Sequence, residues 1–155
     1  LKGLVDDAVA GGATLLAGGE RPAGINTGHF LAPTVLAGVT ETMAVYREET
    51  FGPIVSIVPF DDNTDLLRMA NDCEEGGLTA YVFTRDLARA EHFSAHLRYG
   101  EIQINGVKYD IDLPHGGIGQ SGVGHDCSAL ALHDYLVQKR ITRALDTTTF
   151  GGLNP

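Results

Sequence analysis

Between residues 54 and 105 the chain alternates apolar runs of strand length with helical stripes, and few topologies satisfy that order. Residues 54–60, IVSIVPF, are a near-continuous apolar run, and Pro59 restricts its end to an edge or a terminus. Residues 63–73 set Leu66, Leu67, Ala70 and Cys73 on one helical face. Residues 78–84, LTAYVFT, are a second run rich in β-formers. Residues 86–98 carry Leu87, Ala90, Phe93, Ser94 and Leu97 along one stripe, which Gly100 terminates. Residues 101–105, EIQIN, read as a third strand. Strand–helix–strand–helix–strand with short joints predicts an α/β fold: an open, mainly parallel β-α-β-α-β sheet.

The flanks are less regular. Residues 1–9, LKGLVDDAV, space Leu1, Leu4, Val5 and Ala8 as a helix with no capping residue before it. The chain is therefore expected to be a piece of something longer. Residues 13–17 and 30–36 read as short extended segments, joined by a Gly/Pro/Asn-rich loop. Residues 128–133 suit a short helix. Residues 134–142 then alternate, with Tyr135, Val137, Lys139 and Ile141 on one side and Leu136, Gln138, Arg140 and Thr142 on the other. A terminal strand with basic residues on both faces predicts an edge or intersubunit strand. Residues 143–155 have few apolar anchors and read as a loose tail. No linker divides the rest, so residues 1–133 form one unit.

Composition narrows the function classes. With 43% apolar and 20% charged residues over 155 positions, the chain can build one globular core. Its net charge of −9 repels phosphate backbones and anionic lipid, which argues against nucleic-acid and membrane-surface roles. No apolar run approaches the roughly 20 residues of a membrane span. Two cysteines without a framework pattern suit a reducing cytoplasm.

Several motifs compete for the chemistry. In LPHGGIGQSGVGHDC, residues 113–127, Gly117, Gly119 and Gly122 satisfy the G-x-G-x-x-G dinucleotide fingerprint. That fingerprint needs a strand before it, a helix opening on it and an acid about 20 residues later. Here a polar loop precedes it, and Asp134 arrives too early. Cys127 lies beside His125 and Asp126, but neighbours at i and i+2 do not face each other on a helix, so Cys127 and Cys73 both read as structural thiols. His92 and His96 have the i, i+4 spacing of a metal clip. They lie opposite the apolar stripe without a third ligand, so no metal site is expected.

The most specific segment is YREETFGPIVSIVPF, residues 46–60, which resembles the E-E-x-F-G-P element of the NAD(P)-dependent aldehyde dehydrogenases. The resemblance continues in order. FLAPTVL, ANDCEEGGLTAYVFTRD, GEIQIN and LPHGGIGQSGVGHD are similar to successive family motifs, and ALHDYLVQKRIT to the terminal oligomerisation strand. By this resemblance residues 1–133 are part of the catalytic domain, and residues 134–142 join copies into a dimer or tetramer. The glycine loop becomes a border of the aldehyde tunnel rather than a cofactor fingerprint. The family's nucleophilic cysteine stands in a G-Q-x-C segment, which these residues do not contain, and its general base and nucleotide domain also lie upstream. No catalytic residue is therefore assigned, and the chain alone is expected to be inert.

The resemblance gives Glu49 the role of accepting hydrogen bonds from the nicotinamide ribose of NAD or NADP, and Phe51 that of packing by the nicotinamide. Departures from the family pattern fall at His115, where a tunnel-lining Phe is usual, and at Gly119, His125, Asp126 and Gly76. His115, with Lys108 and Tyr109 just before it, implies a small polar aldehyde, anionic if Lys108 is free to meet it. Asp110 and Asp112 could neutralise Lys108 and leave room for a hydroxylated neutral substrate. Two rival readings stay open at this stage. One is a self-sufficient α/β module that binds a phosphate or nucleotide at the glycine loop. The other is a structural domain whose terminal strand pairs with a partner.

Overall fold

A computed structural model describes residues 1–61, 65–72 and 76–143. The elements run α1 (Lys2–Ala10), β1 (Thr14–Ala17), β2 (Thr34–Ala37), α2 (Ala44–Arg47), β3 (Ile54–Ile57), α3 (Leu66–Asn71), β4 (Thr79–Val82), α4 (Leu87–His96) and β5 (Glu101–Ile104). Two 3-10 turns follow, Gly119–Ser121 and Ala129–Tyr135. The central strand–helix order is the one the sequence predicts, and the fold is α/β with parallel pairing.

The pairing is distributed over two sheets. In the first, β1 runs antiparallel to β2, and β2 runs parallel to β3 in the register Thr34–Ile54 to Ala37–Ile57. In the second, β4 runs parallel to β5, from Thr79–Glu101 to Val82–Ile104. No ladder joins β3 to β4 among the described residues. β3 ends at Ile57, short of Pro59, whose missing N–H cannot extend a ladder. The partner of β3 is β2, held at the strand entrance by Thr34 N–H donating to Pro53 O over 2.8 Å.

One face of the first sheet is packed by α1 and the segment around α2. Val5, Ala8, Ala13, Leu36, Val39, Met43 and Val45 form a single buried cluster there. Thr34 is also buried, and its hydroxyl is used twice: it accepts from Gly19 N–H at 2.9 Å and donates to Ala32 O at 2.7 Å. Aspartates cap both later helices. Asp65 accepts from Arg68 N–H at 3.0 Å, and Asp86 from Arg89 N–H at 3.1 Å.

Short α3 ties the two sheets together. On one side, Tyr46 donates its hydroxyl hydrogen to Met69 O, and Arg68 forks onto Glu41 at 2.8 and 3.2 Å. On the other, Asn71 bonds both His96 O and Arg98 N–H, while Tyr99 donates to Ala70 O.

The terminal segment finds no strand partner within the described residues. Residues 134 and 135 close the second 3-10 turn, and residues 136–143 are exposed and join no sheet. A strand requires a neighbour for its N–H and C=O groups, and no described strand presents one to this segment. Cys73 and the tail beyond Arg143 lie outside the described residues.

Candidate functional site

The first group of predicted residues sits on the turn between α2 and β3. Glu48 leaves the helix in an extended conformation, and Glu49 follows, exposed. Phe51 has φ 42°, the left-handed region, which is an outlier for a bulky side chain and costs of order 1–2 kcal/mol. Its ring is 85% exposed. The turn is closed by Ile54 N–H donating to Gly52 O at 2.8 Å and anchored to β2 through Pro53 O. The strained backbone thus displays an uncovered aromatic side chain two residues after Glu49.

The second group is launched by Asn105 at the end of β5. Its φ is 53°, which asparagine tolerates, and its amide bonds both the N–H and the C=O of Thr84 at 2.8 Å. That clamp joins the ends of β4 and β5 and fixes where the following loop starts. Lys108 N–H donates to Gln103 Oε1 at 2.6 Å. The Lys108 ammonium lies 3.5 Å from Asp110 with its side chain 84% exposed, so Asp110 already offsets its charge. Asp110 also accepts Asp112 N–H, an Asx turn that bends the chain back toward Pro114.

Beyond Pro114 the loop folds on itself. His115 and Asp126 form a two-residue antiparallel bridge, with N–H···O distances of 2.9 and 2.8 Å. Their side chains meet as well, His115 Nδ1 lying 2.9 Å from Asp126 Oδ1. Gly116 permits this, because a Cβ there would meet Gly124 O and the His125 ring, each at 2.7 Å. At the base of the loop, Gly77 O accepts from both Gly100 N–H and Ile118 N–H at 2.9 and 3.1 Å. A side chain at Gly100 would run into the Gly116 carbonyl.

Tyr109 completes the cluster. Its ring meets that of His115 edge-on with centroids 5.6 Å apart, and its hydroxyl lies 2.7 Å from Cys127 Sγ. That hydrogen bond, with partial desolvation and the nearby negative groups, pushes the Tyr109 phenol up to about 12. Beside the loop, a cleft of about 400 Å³ runs along β5, lined by Glu101, Gln103, Lys108 and Pro114 among others. A second cavity, about 360 Å³ and lined by Phe60, Tyr81, Phe93 and Tyr99, lies between α3, β4 and α4, with none of the loop residues in its wall.

The three substrate-loop residues thus separate. Tyr109 and His115 come together, whereas Lys108 turns to Asp110. Cys127 Sγ meets the Tyr109 hydroxyl, and the His125 backbone N–H donates to Asp134 at 2.9 Å. Sequence reasoning missed that Asp126 partners His115 and that Cys127 partners Tyr109. Both pairings span the glycine loop, where no periodicity signals contact. On α4, His92 and His96 are exposed with ring centroids 4.5 Å apart, and no group of three or more His, Cys, Asp or Glu among the described residues could hold a metal ion.

The chain as a whole is similar to known proteins. The aldehyde dehydrogenase family profile matches residues 1–141. The chain belongs to this family. It is 43% identical to a non-phosphorylating aspartate-semialdehyde dehydrogenase of Halomonas elongata, the match covering 88% of this chain and 27% of that protein. It is 44% identical to a betaine aldehyde dehydrogenase of Mesorhizobium japonicum, covering 84% and 27%. Among solved structures, succinate-semialdehyde dehydrogenase from Burkholderia pseudomallei superposes with a TM-score of 0.79 at 42% identity, covering 88% of this chain and 28% of that one. An aldehyde dehydrogenase of Mycobacterium tuberculosis complexed with NAD+ superposes at 0.78 and 34% identity, covering 86% and 28%. The chain therefore spans between a quarter and a third of the length of these relatives.

Proposed function

We propose that this chain is the later part of the catalytic domain of a dehydrogenase that oxidises a small polar aldehyde to the carboxylic acid with NAD or NADP. One aldehyde, one water and one oxidised cofactor give a carboxylate, the reduced cofactor and two protons. The observation that carries the reading is the turn at residues 48–53, where an exposed aromatic is held on strained backbone two residues after Glu49. In this reading Phe51 packs by the nicotinamide, and the Glu49 carboxylate accepts hydrogen bonds from the adjoining ribose, a task suited to its two acceptor oxygens.

The 155 residues hold no G-Q-x-C segment, and Cys127 is engaged by a phenol rather than by a base, so the chain alone does not turn over aldehyde. The substrate is polar because His115 stands where the family has an apolar ring. The ion pair of Lys108 with Asp110 speaks against an anionic substrate. The exposed segment 136–142 supports pairing with a second copy into a dimer or tetramer. No described helix is long and apolar enough to cross a membrane, and the acidic surface is in keeping with a cytoplasmic enzyme.

The test uses the whole enzyme that carries this segment. Glu49→Ala should weaken cofactor binding or slow hydride transfer by about 1–3 kcal/mol, the worth of hydrogen bonds to a charged group. Unchanged cofactor affinity together with an unchanged hydride-transfer rate removes the assignment. Sedimentation of a form truncated after His133 tests assembly, and an unaltered oligomer counts against the role of residues 134–142.

A further inference from the structure

We infer that His115 and Asp126 form a recognition dyad for an aldehyde carrying a hydrogen-bond donor, a hydroxyl close to the carbonyl being the simplest case. The inference rests on the reading that the glycine loop borders the aldehyde site, and it names the substrate class of that site.

The imidazole hydrogen of His115 is placed by its carboxylate partner. A carboxylate can only accept hydrogen bonds, so the 2.9 Å contact from His115 Nδ1 to Asp126 Oδ1 places the hydrogen on Nδ1. In the neutral imidazole Nε2 is then left with a lone pair and no hydrogen, an acceptor. The ring cannot easily turn over to present Nδ1 instead. The backbone bridge between His115 and Asp126 holds the two residues in register, and the Tyr109 ring meets the imidazole edge-on. Tyr109 in turn is held through its hydroxyl by Cys127 Sγ, and Nε2 has no partner in this cluster. The His115 side chain is 30% exposed, enough for one edge of the ring to be reached.

Charge disfavours the opposite substrate. Asp110, Asp112 and Asp126 stand against Lys108 in this loop, and Lys108 is already paired with Asp110. A carboxylate on the substrate would meet an acceptor and a surplus of negative charge. A hydroxyl meets Nε2 as donor to acceptor. Asp126 acts only through His115 and is a positioning residue.

The whole enzyme is assayed with NAD and with NADP on four aldehydes: 2-hydroxypropanal, 2-methoxypropanal, propanal and succinate semialdehyde. The methoxy compound keeps the oxygen and loses the donor. The expected kcat/KM ratio of 2-hydroxypropanal to 2-methoxypropanal is about tenfold, the worth of one neutral hydrogen bond. His115→Phe restores the family's ring and should bring the ratio close to one. Asp126→Ala frees the imidazole to carry its hydrogen on Nε2 and should also erase the preference. Damage to packing alone would slow both substrates equally and leave the ratio unchanged. A ratio that neither variant changes overturns the dyad, as does succinate semialdehyde being the best substrate. No turnover of any of the four by the wild-type enzyme removes the dehydrogenase reading itself, and the dyad with it.

Discussion

The region through β3 and the region from β4 onward are both α/β units with a parallel strand pair, yet they bury very different amounts of apolar surface. Seven of the buried apolar side chains among the described residues, Leu36 at 0% exposure foremost, belong to the first region, and Ala90 alone to the second. In the first, α1 covers the sheet and Thr34 has both of its hydrogen bonds inside the core. In the second, Tyr81, Phe83, Leu87 and Ile104 are exposed, and the order of the loop comes from polar clamps such as Asn105 on Thr84. Identical strand length and similar composition therefore do not imply equal independence. The first region has a buried cluster of its own. The second presents uncovered apolar faces, in a chain that spans little more than a quarter of the relatives it matches.

The largest expected effect is on that contrast itself. Leu36→Ala should cost about 2–5 kcal/mol, because the side chain is enclosed on every side and its removal leaves a cavity. Ile102→Ala in β5, half-buried, should cost no more than about half as much. Urea unfolding followed by amide exchange at β2 and β5 reads both. Equal losses would mean that the second region is as well packed as the first. Next comes Thr34→Val, which keeps the shape but strands Gly19 N–H in the core at a cost of about 1–3 kcal/mol.

Helix caps sharpen the boundary between the regions. Asp86→Ala removes the cap of α4 and should cost about 1 kcal/mol, lowering exchange protection in β4 and β5 while β2 is untouched. Asp65→Ala removes the equivalent cap of α3, at a similar cost. Because α3 is bonded to Tyr46 on one side and Tyr99 on the other, protection should fall in both sheets. Loss confined to one sheet would show that α3 does not couple them.

How far the sequence announces all this follows the same division. Strands and helices from 54 to 105 are legible because period-two and helical patterns report which face is apolar. That they occupy two sheets is not, since a strand's own pattern does not name its neighbour: β3 pairs backward with β2, which reads only as an isolated extended segment. Residues 134–142 alternate like a strand, but alternation fixes faces and supplies no partner, and Asp134 and Tyr135 close a turn instead. At the site, ordered motifs lead to the family that residues 1–141 match. The pairings of His115 with Asp126 and Tyr109 with Cys127 depend on how glycines let the loop double back, which neither spacing nor composition encodes.

The smallest expected effect tests whether those loop pairings are as fixed as the core of the first region. Tyr109 has its phenol pushed from 10.0 to about 12, chiefly by its hydrogen bond to Cys127 Sγ, then by desolvation and by the charges of Cys127, Asp126 and Glu101. The folded chain thus keeps a hydrogen that the unfolded chain loses near pH 10. The resulting stabilisation is complete below pH 10 and disappears as the pH rises through about 12. An ultraviolet titration of tyrosinate, with Tyr109→Phe as the reference that lacks this residue, should show one phenol that ionises late. Cys127→Ala should bring it back toward its ordinary value, with little change in the unfolding of β2. If Tyr109 ionises at its ordinary pH while Cys127 is present, the contact does not persist in solution. The glycine loop would then be less fixed than the core around Leu36, in line with the exposed apolar side chains on β4 and β5.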